Sequence, residues 1–66
     1  MPTVAILVCW KRNRNHRGRD IAFSIPKARD IVKEKQDLGF KTWSRNLAPD
    51  DPLVVHHQRY GSIPQP

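Results

Sequence analysis

Five cations crowd into one short stretch of this chain: Lys11, Arg12, Arg14, Arg17 and Arg19, with Asn13, Asn15, His16 and Gly18 between them. None of the six Asp and Glu residues falls there, so the stretch carries five of the positive charges in a formal net charge of +6. Guanidinium forks match phosphate oxygens bidentately, and Asn13, Asn15 and His16 add neutral groups suited to phosphate, sugar or base edges. A focused positive site attracts polyanions, and nucleic-acid phosphate is the commonest of these. If all five cations met phosphates on duplex DNA, log K would fall against log[salt] with a slope of roughly −4 to −5. The plainer reading is a solvated loop whose charge keeps a small protein soluble, and a third is contact with an acidic surface on another protein.

A second group is Lys41, Trp43 and Arg45, with Trp10 as a further indole. Residues two apart on a strand share a face, and an aromatic ring flanked by cations is the platform on which single-strand binders stack bases. The reading preferred for Trp43 is structural: Leu53, Val54 and Val55 need burial, and a C-terminal segment folded over this face would make Trp43 the anchor of a second small core.

Metal and catalytic chemistry find little support. Cys9, His16, His56 and His57 are potential zinc ligands, yet adjacent His56 and His57 point to opposite faces of a strand, and Cys9 lies in an apolar run where it reads as a small core residue. A histidine general base beside the arginines would need a nucleophile or an orienting partner, and the sequence fixes neither. Asp50 and Asp51 sit in a Pro-rich turn, where helix capping explains them. No glycine-rich phosphate loop is present, since Gly18, Gly39 and Gly61 are far apart. The expectation is a non-enzymatic protein with no metal and no cofactor.

The elements that must position these groups follow from pattern. Thr3 to Trp10 is a continuous apolar run, β-branched and aromatic, with both faces apolar; it predicts a central strand. Asp20 to Ile25 alternates, with Ile21, Phe23 and Ile25 on one side, and predicts a second strand. The basic stretch between them then becomes a long hairpin loop, with Asn13, Asn15 and Gly18 supplying turn geometry. Pro26 suits a first helical residue, Ala28, Ile31, Val32, Lys35 and Leu38 form one stripe, and Gly39 can end the helix, which spans about 26–38. Phe40 to Arg45 alternates as a third strand, with Phe40, Thr42 and Ser44 on one side and Lys41, Trp43 and Arg45 on the other.

The fold class expected is α+β: a small two-layer β-β-α-β domain over 1–45. Its three-stranded antiparallel sheet has order 2-1-3, one helix covers one face, and a semi-ordered C-terminal arm follows. Residues 46–66 form a Pro-rich linker and arm, in which 52–60 is either a fourth strand or a short helix capped by Asp51 with Pro52 at its first position. With 66 residues and a lone cysteine the core is small and unstapled, which leaves monomer and homodimer both open. The apolar run from Val4 is far short of the about 20 residues that span a bilayer, and a soluble cytoplasmic protein with no membrane partner is the expectation.

The function expected is a small basic nucleic-acid-binding accessory protein acting through Lys11–Arg19, with Lys41, Trp43 and Arg45 as a secondary surface. The alternative is a small regulator or inhibitor, of a kind that viruses encode, docking on a larger host protein or nucleoprotein complex. Charge alone separates neither DNA from RNA nor duplex from single strand.

Overall fold

The computed structural model describes residues 4–64. Their order is β1 (Ile6–Asn13), β2 (His16–Ala22), α1 (Ile25–Asp37), β3 (Lys41–Asn46) and α2 (Pro52–Tyr60). The strands form one open sheet of order β2-β1-β3, with β1 antiparallel to both neighbours. This is the α+β class and the 2-1-3 order expected from the apolar character of the first strand. The expected start of that strand at Thr3 and the tip of the tail lie outside the described residues.

β1 is central because it has something to bury on both sides. Ile6 and Val8 join Ala22, Ala28 and Ile31 in one buried cluster, with Trp10 and Val32 packed at its margin. Ala5 and Leu7 join Ile21, Leu47, Val54 and Ile63 in the other, flanked by Cys9 and Leu53. Helix α1 therefore covers one face, while α2 and the chain around Leu47 and Ile63 cover part of the second. The largest fully buried side chains among the described residues, Val8 and Val54, lie in different clusters.

The helices begin and end by recognisable chemistry. The Ser24 hydroxyl accepts from the Lys27 amide at 3.3 Å, capping α1, so Pro26 is the second helical residue and not the first. At the far end Phe40 N–H donates to Lys35 O and Gly39 N–H to Gln36 O, both at 2.9 Å, the paired bonds of a Schellman ending. Gly39 has φ +88°, a backbone conformation that a Cβ disfavours. Of the two alternatives for 52–60, the helix forms: the Asp51 carboxylate accepts from Leu53 N–H at 2.9 Å, with Pro52 in the first turn.

Four expectations are corrected. The basic stretch is not a long loop: both strands run on through it, and only Arg14 and Asn15 form the turn. β2 ends at Ala22, so Phe23 and Ile25 are not strand residues and both are exposed. Leu38 caps α1 and is exposed instead of completing the apolar stripe. Gly18 lies inside β2 opposite Trp10, with no left-handed backbone, and serves no turn.

Candidate nucleic-acid interface

The turn itself is built by Asn13. Its side-chain oxygen accepts from the amides of Asn15 and His16, both at 2.9 Å, and from His16 Nδ1 at 3.0 Å. No non-glycine residue described has a positive φ, so this side-chain clasp does the work that left-handed residues do in many tight hairpins. Asn13 and His16 are thereby committed to the hairpin, and Arg14 and Asn15 stand exposed at its end.

Register then sorts the cations between the faces. Lys11 faces Arg17 on one neighbour and Lys41 on the other; Cys9 faces Arg19 and Trp43; Leu7 faces Ile21 and Arg45. Side chains of residues directly opposite one another project to the same side. The basic stretch and the Lys41–Trp43–Arg45 group, read separately in the sequence, therefore share one surface. It is the face that α2 covers only at its other end, beyond Cys9.

Arg12 belongs elsewhere. A register shift between Lys11 and Asn13 displaces it, its Nη1 donates to Leu38 O at 3.4 Å, and its guanidinium lies 5.1 Å from the Phe40 ring centroid. A cation at a helix C-terminus meets the negative end of the macrodipole, so Arg12 is part of the α1 ending. On that same side Lys35 Nζ sits 4.5 Å from the Trp10 ring, which accounts for the second indole.

Four of the six acidic residues lie on the α1 side, away from the cationic surface. Asp20 faces Val8 on the α1 side, and Asp30, Glu34 and Asp37 belong to α1 itself. Asp50 and Asp51 are at the start of α2. No strand residue facing the α2 side is acidic. The cross-strand line Arg17–Lys11–Lys41 thus sets three like charges side by side, an arrangement that costs stability in a sheet.

Between these cations is a depression of about 310 Å³ lined by Cys9, Trp10, Lys11, Arg17, Gly18, Arg19 and Trp43. Trp43 is 51% exposed, so it does not anchor a second core as preferred above; Leu47, Val54 and Ile63 do that without it. At the edge of the depression Arg19 Nε donates to Pro64 O at 2.8 Å, tying β2 to the segment after α2. Burial pushes the Cys9 thiol up from its ordinary value of 9.0, against the opposing pull of Arg19 and Arg45. Cys9 is half-buried at the margin of the α2-side cluster and not one of its buried members, and its place in a cationic depression required the register.

The remaining histidines have structural partners. His56 Nδ1 donates to Ser62 O at 2.7 Å, and the His57 ring meets Phe23 edge-on at 5.0 Å. Among the described residues no group of three His, Cys, Asp or Glu is arranged to hold a metal ion, and no helix is long and apolar enough to cross a membrane. No family model, curated protein or solved structure matches this chain.

Proposed function

We propose that this protein is a non-enzymatic nucleic-acid-binding accessory protein whose binding surface is the uncovered half of the sheet face bearing Lys11, Arg17, Arg19, Lys41, Trp43 and Arg45. The reading rests chiefly on one observation: Arg17, Lys11 and Lys41 lie side by side across three strands with no acidic strand residue on their face. Like charges so placed weaken a sheet, and a polyanion laid across them converts repulsion into attraction. Arg19 and Arg45 extend the same surface along the strands, so a phosphate backbone crossing it meets five cations.

The test is affinity for short DNA and RNA oligonucleotides over a salt series. Five phosphate contacts give a slope of log K against log[salt] of roughly −4 to −5 on duplex DNA and roughly −3 to −4 on single strands. Binding absent at low salt, or untouched when Lys11, Arg17 and Lys41 are all replaced by Gln, removes the proposal. A stoichiometric protein partner that survives nuclease treatment of a lysate, with no nucleic acid bound by the purified chain, would replace it with a protein-docking function on the same face.

A further inference from the structure

Trp43 is an unusual residue to leave in water. An indole on an edge strand, 51% exposed, leaves much of a large apolar surface in water. Its ring borders the depression floored by Cys9, and the walls there carry Lys11, Arg17 and Arg19. On β3 itself it is preceded and followed, two residues away, by Lys41 and Arg45 on the same face. The surface thus combines a recess, a half-exposed indole at its border and cations on every strand around it.

Duplex nucleic acid makes poor use of such a site. Its phosphates are outside, but its base faces are stacked and closed to an indole. A single strand offers both components at once: phosphates for the surrounding cations and an unstacked base for the ring. Resting on the binding function proposed above, we infer that the ligand is single-stranded, and that one nucleobase stacks on Trp43 in the Cys9-floored depression while Lys11, Arg17 and Lys41 hold the flanking phosphates. Any base has a π-face, so this contact sets strandedness and not sequence.

The probes are an oligothymidylate, an oligouridylate, a DNA duplex of equal length, and an abasic deoxyribose-phosphate oligomer that keeps the charge and lacks the bases. The two single strands are expected to bind at least about tenfold more tightly than the duplex or the abasic chain and to quench indole fluorescence. Trp43→Ala should weaken single-strand binding by about 5- to 150-fold, the range that one base stack spans, with little effect on the abasic oligomer. Trp43→Phe, which keeps a ring, should recover most of the loss and guards against a folding defect. In the unaltered protein, irradiation of a 5-bromouridine oligomer should crosslink at Trp43.

Equal affinity for all four probes, with Trp43→Ala neutral and no crosslink at Trp43, overturns the base-stacking inference and leaves phosphate binding standing. Failure of every probe to bind at low salt overturns the binding function, and the inference with it.

Discussion

Gly18 lies directly against the Trp10 indole: a Cβ built at Gly18 would stand 2.7 Å from Trp10 Cζ2 and 2.8 Å from its Nε1. The two residues are cross-strand partners, and the ring of one occupies the space where the other has no side chain. Gly18 has no left-handed backbone, so its role is steric. Gly18→Ala is expected to destabilise the fold by about 1–3 kcal/mol, as overpacking does. Denaturant titration measures it, and a neutral result would mean that the indole has another resting place.

Val54 and Asp51 hold the partial cover of the second face. Val54 is fully buried beside Leu7 and Ile21, and Val54→Ala removes two methyl groups there, at a cost of about 2 kcal/mol. Asp51→Ala removes the α2 cap and costs about 1 kcal/mol. Both should lower the urea midpoint. If neither does, α2 contributes nothing to the stability of the sheet.

The line Arg17–Lys11–Lys41 separates function from stability. Lys11→Gln relieves two like-charge contacts and should leave stability unchanged or raise it by about 0.2–1 kcal/mol. The same change should weaken oligonucleotide binding and reduce the salt slope by about 1. Arg12→Gln should act in the opposite sense: it loses the contacts at Leu38 and Phe40, costs about 1 kcal/mol, and leaves the slope in place. Matching losses of stability and affinity in both variants would erase the distinction.

Cys9 gives a pH dependence with a definite sign. Its thiol is held above the ordinary value of 9.0 by burial, so the folded state binds the proton more tightly than the unfolded chain. The resulting stabilisation is complete below about pH 9 and is lost as pH rises through the higher folded value. Comparison with Cys9→Ala at about pH 8 and about pH 10.5 isolates it from other titrating groups. The natural protein should lose more stability between those two points than the variant; parallel losses would contradict the assignment.

Much of the architecture was legible because local and global patterns agree. An apolar run with no polar side could only be a middle strand, and Pro26, Gly39 and the stripe through Ala28 and Ile31 marked the helix between the strands. The phase of β3 was also readable from its alternation, since Lys41, Trp43 and Arg45 do share one face, although that face leaves the indole exposed. What failed was the length of the hairpin loop; the hairpin itself forms. Charged and amide residues signal loops on average, yet Lys11, Arg17 and Arg19 stay in strand because the backbone ladder set by the apolar half of β1 continues outward through them despite their weak β-propensity. The Asn13 clasp that makes a two-residue turn sufficient is a three-dimensional feature with no period. Without the register, the two cationic groups could not be placed on one face, and Arg12 could not be separated from its neighbours.

The pleat of β1 makes the chain intolerant of a change in residue count. Ala5, Leu7, Cys9 and Lys11 point one way and Ile6, Val8 and Trp10 the other. Deleting any one residue between Ala5 and Lys11 would invert the parity of everything on one side of the cut, swapping lysine and indole between helix and solvent. Conservative replacements along β1 can be absorbed site by site, whereas a single missing codon there would turn half of the strand inside out.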